Sequence, residues 1–399
     1  MGRTEQKYTW NDHLFNISLV LFFILPQNEL LYYFVPVAMV YITDWHKPQK
    51  TNLRTLKWIL LGSLALTLFT NVMSSWVTSK SLLRLIDLGL LLLCFGRLKR
   101  FIIIKEYLVF LVIYLITFQF AYQLNIPVLG QLLQSIYPLS EEMVERYAFR
   151  EDLGLSDFGG VSSRLGGIYY NSNNCASFLE MLFVLIVNER KQFKKWVYIA
   201  LLALNVLGIV STGSRTSLLV LVMLMILMFS VGNKTDRKYV VIFLIVGLIF
   251  FQIYGASSRM FMVREGMDSS FSIKVGILAD YLQSISSPLR LLFGCLSGSY
   301  LVQVLGKLFP GTDFDIGDVT VAYGFAFDIL LLCFLWYLYK NLGRYKSVLC
   351  ILVWCFSNTI FMSYRGSAIF LLIASMYYSK NLLERGSKNS SSSLYSSHK

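Results

Sequence analysis

The stretch from Ser163 to Ala176 combines residue types that bind anions. Arg164 is followed by the pair Gly166-Gly167 and then by the polar run Asn171-Ser-Asn-Asn174. Two glycines let the backbone approach a ligand closely, an asparagine can cap the helix that follows, and a helix start beside an arginine forms an anion site. The alternative is an ordinary helix cap next to an arginine that extends along an apolar surface to reach water. The density of polar residues favours binding through Arg164, Asn171 and Asn174.

Two short turns between apolar segments each contain an arginine. Arg215 lies in the turn Ser-Thr-Gly-Ser-Arg-Thr-Ser, and Arg365 lies in the turn Ser-Tyr-Arg-Gly. The planar guanidinium group donates two parallel hydrogen bonds to a phosphate and keeps its charge at neutral pH. Such a side chain at the mouth of a helical bundle suits a phosphate ligand. The alternative for both arginines is an anchor among lipid headgroups.

A third set of polar residues lies between 257 and 324. Its cations include Arg264, Lys274 and Arg290, and the carboxylate of Asp318 lies at the start of an apolar segment. Where cations bind a diphosphate, a nearby carboxylate can take the proton from an attacking hydroxyl. We therefore interpret Asp318 as a candidate base. The alternative is a capping role, because an acidic residue at a helix start also stabilises the helix dipole.

Ionisable residues also occur inside apolar segments, where they are costly and are either paired or functional. Arg84 and Asp87 are three residues apart, which predicts a structural ion pair on one helix. Glu180 follows Asn174 by about one and a half helical turns. We therefore expect Glu180 to line the same cavity as Asn174.

The sequence shows no cluster of histidine and cysteine ligands and no nucleotide-binding loop. The three histidines lie away from both long polar stretches, and no Cys-x-x-Cys pair, Walker loop or Gly-x-Ser-x-Gly elbow occurs. Most of the six cysteines lie in apolar runs and are typical of small buried hydrophobes. We expect a metal-independent site without a cofactor.

The composition predicts that these residues are positioned by membrane helices. The chain has 399 residues, of which 56% are hydrophobic and 15% charged, and its mean hydropathy is +0.59. The net charge of +13 is explained by basic cytoplasmic loops, and no basic run has the character of a nucleic-acid surface. Apolar segments predict an all-α integral membrane protein with about twelve transmembrane helices. They lie near 14–25, 29–43, 58–78, 83–98, 106–123, 175–188, 196–212, 216–232, 239–256, 317–339, 347–361 and 367–379.

Charge asymmetry between the loops predicts the orientation. With the N-terminus in the cytoplasm, the inner loops carry 24 of the 36 lysines and arginines and the outer loops carry 11. The positive-inside rule therefore places both termini in the cytoplasm. Two long extracytoplasmic loops result, about 124–174 and 257–316, and loops of this length are functional or disordered. A membrane domain is expected over 1–386, followed by a disordered serine-rich cytoplasmic tail over 387–399. The first two segments, split by Pro26, are either two spans or one re-entrant hairpin.

The order of the motifs resembles that of a known family. Three regions carry the resemblance: the stretch from Arg164 to Ala176, the turn around Arg215, and the region from Pro288 to Gly324 that includes Phe293-Gly294 and Tyr323-Gly324. Together they resemble the O-antigen ligase/polymerase superfamily, and specifically its Wzy-type polysaccharide polymerases. The resemblance implies a fold similar to that of GT-C-type membrane glycosyltransferases, in a bacterial plasma membrane.

The resemblance also implies a reaction. Such enzymes move a glycan from undecaprenyl diphosphate to a sugar hydroxyl of a second lipid-linked repeat unit on the outer membrane face. Arg164 and Arg215 would hold the donor diphosphate and stabilise the leaving group. Asp318 lies near where the ligases carry a catalytic histidine, and this departure favours a polymerase. Lys274 lies where relatives carry an arginine.

The implied partners are the lipid-diphosphate-linked oligosaccharide, membrane lipids, a chain-length regulator and a flippase. No nucleic-acid partner is expected. Two other functions stay open. A ligase of the same superfamily would pass the glycan to a wall polymer or a protein. A flippase or transporter of lipid-linked sugars would instead carry charged residues along a path through many helices and few in extended outer loops, whereas this chain carries few inside its apolar segments and more in its outer loops.

Overall fold

The computed structural model describes residues 8–26, 29–72, 79–123, 126–137, 166–169, 171–231, 276, 278–280, 282–283, 287–296, 315–356 and 360–396. These ranges are mostly helical, and the only β pairing among them is an isolated bridge between Thr43 and Leu98. The all-α fold class is therefore confirmed. The α-helices are α1 (Trp10–Ile24), α2 (Glu29–Ile42), α3 (Thr51–Val72), α4 (Ser79–Cys94), α5 (Lys105–Gln123), α6 (Pro127–Ile136), α7 (Ser172–Asn188), α8 (Lys195–Ser211), α9 (Arg215–Val231), α10 (Pro288–Phe293), α11 (Asp315–Asn341) and α12 (Tyr364–Ser396). Three 3₁₀ helices accompany them, at Gly167–Tyr169, Arg190–Gln192 and Gly343–Phe356.

The predicted apolar segments coincide with helices wherever the structure describes them. Eleven of the twelve do so, and the segment 239–256 falls on residues that are not described. Two described helices, α3 and α11, are long and apolar enough to cross a membrane. Shorter apolar helices, of 10–17 residues, occur in α2, α7, α8 and α9. The number of membrane crossings stays a prediction.

The structure divides into two compact units. Unit 1 comprises the described residues of 1–28 and 102–265, and unit 2 those of 29–101 and 266–399. In unit 1, the start of α1 contacts the chain before α5, because the backbone N–H of Ile102 donates to Asp12 Oδ1 at 2.8 Å. The end of α1 contacts segments of the first outer loop, since the hydroxyl of Tyr169 donates to the carbonyl of Phe23 at 2.9 Å. The first contact thus joins two segments that are predicted to be cytoplasmic, and the second joins two that are predicted to be extracytoplasmic.

Unit 2 is built around α11, which packs on α3, on α10 and on the 3₁₀ helix Gly343–Phe356. One end of the unit, which we call the lysine end, comprises residues 43–57, 94–100, 336–346 and 375–385 and gathers the predicted inner loops. There the N–H of Lys99 donates to the carbonyl of Ile42 at 3.0 Å. The other end, which we call the glycine end, comprises Arg84, Asp87 and residues 292–296, 315–324 and 360–367. The described parts of the predicted outer segments of unit 2 meet there.

The C-terminal tail differs from its prediction. Helix α12 continues to Ser396, whereas the sequence predicts disorder over 387–399. Extending a formed helix adds one hydrogen bond for each residue ordered, and only the first turn is costly. Polar residues that cannot start a helix can therefore continue one.

Candidate functional site

In unit 1, the polar run after Gly167 forms the start of α7. The side chain of Asn171 accepts hydrogen bonds from the backbone N–H groups of Asn173 at 2.8 Å and Asn174 at 3.4 Å. Asn171 is thus the N-cap of α7, as its residue type predicts. Asn174 lies in the first turn of α7, where the helix dipole favours an anion.

The interior of unit 1 contains polar side chains below this helix start. Glu180 on α7, Gln119 on α5 and Asn205 on α8 are each fully buried. Gln119 donates to the carbonyl of Gly208 at 2.9 Å. Neither amide atom of the Asn205 side chain has a hydrogen-bond partner among the described residues. Glu180 is therefore buried within the helices of unit 1, and its place in a cavity shared with Asn174 stays a prediction.

Glycines let these elements approach one another in unit 1. Gly167 has a φ of +56°, and a Cβ there would lie 2.9 Å from the Cα of Gln119. A side chain at this position would therefore be strained and would press on the α5 backbone. The glycine pair in the motif thus allows a close backbone contact.

The side chains of four predicted site cations lie outside the part of the chain that the structure describes. Arg164, Arg264 and Lys274 fall on residues that are not described, and only the backbone of Arg215 is described. Arg215 is the first residue of α9, after a turn in which Gly213 has a φ of +60°. The predicted short turn before α9 is thus present.

In unit 2, the two glycines of the third motif lie at a crossing of two backbones. Gly294 has a φ of +72° and ends α10, and Gly324 has a φ of +80° and interrupts α11. A Cβ on Gly294 would overlap the carbonyl of Ala322, and one on Gly324 would overlap the carbonyl of Leu292. Both positions therefore require glycine, for conformation and for space.

The interruption of α11 frees backbone carbonyls that other segments satisfy. The N–H groups of Cys295 and Leu296 donate to the carbonyls of Val321 at 2.8 Å and Ala322 at 3.0 Å. On α3, Asn71 Nδ2 donates to the carbonyl of Gly294 at 3.2 Å. Broken helices of membrane proteins are tolerated only where the protein or a cavity satisfies the backbone, and they often mark binding sites.

Charged and phenolic side chains surround this break. Arg84, Asp87 and Asp315 all lie close enough to the buried Tyr323 to act on its hydroxyl electrostatically. No ion pair joins Arg84 to Asp87, so the predicted pair is wrong. The carboxylate of Asp87 lies near the side chain of Tyr364, whose hydroxyl donates to the carbonyl of Tyr32 at 2.7 Å. Helix α4 packs against α12, so the surroundings of Asp87 are set by a second helix as well as by its own.

Two atoms of this cluster remain without hydrogen bonds. Asp87 is 3% exposed, and its Oδ2 atom has no partner among the described residues. The Nε atom of Arg84 is also buried without one. Burying an unpaired polar group costs about 1–3 kcal/mol, so these two residues are candidates for function. Together they can hold an anionic group and accept a proton.

The carboxylates at the start of α11 have different roles. Asp315 is fully buried, and it accepts hydrogen bonds from the N–H groups of Phe361 at 2.6 Å and Met362 at 2.9 Å. It therefore anchors the bend before α12. Asp318, one turn later, is only half-buried, and its role as a base stays a prediction.

Of the remaining predicted cations of unit 2, Arg365 lies at the glycine end, and Arg290 lies beside it on α10. Arg365 is 4% exposed in the first turn of α12, which is deeper than a headgroup anchor requires. Arg290 is half-buried in the last turn of α10, and its carbonyl accepts from the N–H of Gly294 at 2.7 Å. The structure thus places Arg290, Asp318 and Arg365 at one end of unit 2.

Sequence reasoning alone did not identify the cluster around Tyr323 or the buried amides Gln119 and Asn205. The available signal was a single polar residue inside an apolar run, which also fits a satisfied core residue.

In the part of the chain that the structure describes, no three His, Cys, Asp or Glu side chains are grouped to hold a metal ion. No protein-family model and no curated protein sequence matches this chain.

Proposed function

We propose that this protein polymerises undecaprenyl-diphosphate-linked oligosaccharide repeat units on the outer face of a bacterial plasma membrane. The observation that carries the proposal is the glycine end of unit 2. Buried arginine and carboxylate side chains lie there beside an interrupted apolar helix. Charges held within an apolar bundle are expensive and are kept for binding or chemistry.

The helix surfaces support a membrane location. On α3, Trp58, Leu66 and Phe69 are 59%, 48% and 65% exposed, and their spacing places them on one face of the helix. On α11, Ile329 and Leu332 are 62% and 65% exposed. Large apolar side chains exposed along whole helices suit contact with lipid. Predicted cytoplasmic segments contact one another, and so do predicted extracytoplasmic segments, which supports helices that cross the membrane in alternating directions. We propose twelve crossings with both termini in the cytoplasm.

The proposed reaction needs no metal or cofactor. A hydroxyl oxygen of the acceptor repeat unit attacks the anomeric carbon of the donor glycan. The bond between that carbon and the diphosphate oxygen breaks, and undecaprenyl diphosphate leaves with the electron pair. Asp318 takes the hydroxyl proton. Arg164 and Arg215 stabilise the charge on the diphosphate.

The other predicted residues would bind substrate. Arg264, Lys274, Arg290 and Arg365 supply positive charge for the two lipid diphosphates. Asn171, Asn174 and Glu180 would hydrogen-bond sugar hydroxyls. The chain-length regulator and the flippase are proposed as partners that set polymer length and deliver the repeat units.

The test uses the purified chain in liposomes with an undecaprenyl-diphosphate-linked oligosaccharide repeat unit. We expect a ladder of chain lengths and release of undecaprenyl diphosphate. Arg164→Ala and Arg215→Ala should lower polymer formation at least 100-fold, and Arg215→Lys should also lower it because lysine lacks the bidentate fork. Arg54→Ala, an exposed position at the lysine end, is the matched control and should retain activity.

Three results would overturn the proposal. Movement of the lipid-linked sugar across the bilayer without new glycosidic bonds would indicate a flippase. A single transfer to a wall polymer or a protein, without a ladder, would indicate a ligase. Full activity of both alanine variants would remove Arg164 and Arg215 from the site.

A further inference from the structure

Two lysines at the lysine end of unit 2 lie over a pair of stacked aromatic rings. Trp336 and Tyr339, on the same face of α11, have ring centroids 5.6 Å apart and planes 19° apart. Lys340 Nζ lies 5.1 Å from the centroid of Trp336, and Lys346 Nζ lies 4.0 Å from that of Tyr339. We call these four residues the lysine–aromatic row. The proposed glycosyl transfer does not use it.

The turn after α11 brings Lys346 back to the helix. Gly343 has a φ of +57°, which turns the chain sharply, and a Cβ there would overlap the side chain of Asn381. Asn381 Nδ2 in turn donates to the carbonyl of Asn341 at 2.7 Å. Helix α12 therefore caps the end of α11 through Asn381. This contact fixes the backbone turn that places Lys346 over Tyr339.

The row has no acidic partner among the described residues. Glu384, a carboxylate of this end, instead accepts from Arg344 at 2.5 Å and from the hydroxyl of Tyr345 at 2.8 Å. An aromatic ring attracts an ammonium group through its π face but accepts no conventional hydrogen bond from it. The ammonium donors of Lys340 and Lys346 are therefore left for an anion.

An exposed apolar stripe leads from the row along α11. Phe325, Ile329, Leu332 and Trp336 are 37%, 62%, 65% and 59% exposed, and their spacing places them on one face of the helix. From Phe325 to Trp336 the helix rises by roughly 16 Å. This is close to one leaflet of the hydrocarbon core, which is about 15 Å, or half of its ~30 Å thickness. The row thus lies where the headgroups bordering that leaflet would be.

We propose that the lysine–aromatic row binds the headgroup phosphate of an anionic phospholipid whose acyl chains lie along this stripe. The phosphate accepts hydrogen bonds from Lys340 and Lys346, and the two rings lie at the level of the glycerol backbone. The inference rests on the membrane location in the proposed function and is independent of the glycosyl transfer.

Native mass spectrometry of the purified chain in detergent tests the proposal. The protein is titrated with dioleoyl-phosphatidylglycerol or with dioleoyl-phosphatidylcholine, and bound lipids are counted. We expect a preference for phosphatidylglycerol that weakens roughly tenfold in the double variant Lys340→Gln/Lys346→Gln. Lys340→Arg/Lys346→Arg should keep the preference. The matched control Lys50→Gln/Arg54→Gln removes two exposed charges from the same end and should change binding by less than about twofold.

A second measurement uses the unmodified lysines. Phosphatidylglycerol with brominated acyl chains should quench tryptophan fluorescence more than brominated phosphatidylcholine does, and Trp336→Phe should remove the difference. Equal binding of the two lipids, equal loss in both glutamine variants, or quenching that does not depend on Trp336 would overturn the site. Displacement of the lipid by an equal concentration of inorganic phosphate would show a simple anion site instead. Each outcome is independent of polymer formation.

Discussion

Two buried charged residues at opposite ends of unit 2, Lys57 and Asp87, differ in how completely they are hydrogen-bonded. At the lysine end, Lys57 is 3% exposed, and its ammonium group donates to Leu93 O at 2.6 Å, to Phe95 O at 2.8 Å and to Gln49 Oε1 at 3.2 Å. Its three donors are satisfied, and it closes the C-terminal end of α4. At the glycine end, Asp87 is equally buried but has an oxygen without a described partner.

This difference separates structural charge from candidate functional charge. A buried charge with complete hydrogen bonding stabilises the fold around it, and its removal leaves orphaned carbonyls. A buried charge with incomplete hydrogen bonding costs stability and is expected where a ligand completes the set. The position of a charged residue inside an apolar helix does not show whether it is structural or functional. The number of its polar atoms that have hydrogen-bond partners does.

Gly324→Ala should have the largest effect. The substitution combines a positive φ with overlap between the new methyl group and the carbonyl of Leu292, so we expect a loss of about 3 kcal/mol or more of unfolding free energy. Thermal unfolding in detergent measures it. Gly62→Ala on α3 is the control, because a Cβ there meets nothing within 4 Å and alanine favours helix. Equal melting temperatures for the two variants would contradict the backbone crossing.

Lys57→Met should follow, with a loss of about 2 kcal/mol. Methionine keeps the apolar length of the side chain but leaves the carbonyls of Leu93 and Phe95 without their donor. The midpoint of chemical or thermal unfolding measures the change. Lys50→Met removes an exposed lysine from the same end and should stay within about 0.5 kcal/mol of the parent. A stable Lys57→Met protein would mean that Lys57 is not structural.

Asp87→Asn should have the smallest effect on stability, within about 0.5 kcal/mol or slightly stabilising. Neutralisation removes the cost of burying a charge whose Oδ2 atom is unpartnered in the described structure. Polymer formation should nevertheless fall by at least about tenfold, since the variant loses a charge held for function. Liposome assays with the lipid-linked repeat unit measure the activity. A marked loss of stability with normal activity would reverse the assignment and make Asp87 structural.

Local features of the site were predictable from the sequence. The run at 171–174 predicts a capped helix start, and Asn171 is that cap. The role of Asp315 was not predictable, because its partners Phe361 and Met362 lie 46 and 47 residues away. The prediction of an ion pair between Arg84 and Asp87 was wrong for a related reason. Spacing along one helix shows which side chains can meet, and packing against other helices decides which do.

The sequence by itself determined the all-α class, the positions of the described apolar helices and the gathering of the described basic loops at one end of unit 2. Those properties follow from hydropathy, proline, glycine and charge over short windows, so neighbouring residues suffice to specify them. Only the tertiary structure decided that Gly294 and Gly324 meet backbone to backbone and that Lys57 is satisfied where Asp87 is not. Such contacts join residues up to hundreds of positions apart, as between Thr67 and Tyr323. Their hydrogen bonds depend on how whole helices pack rather than on any local pattern.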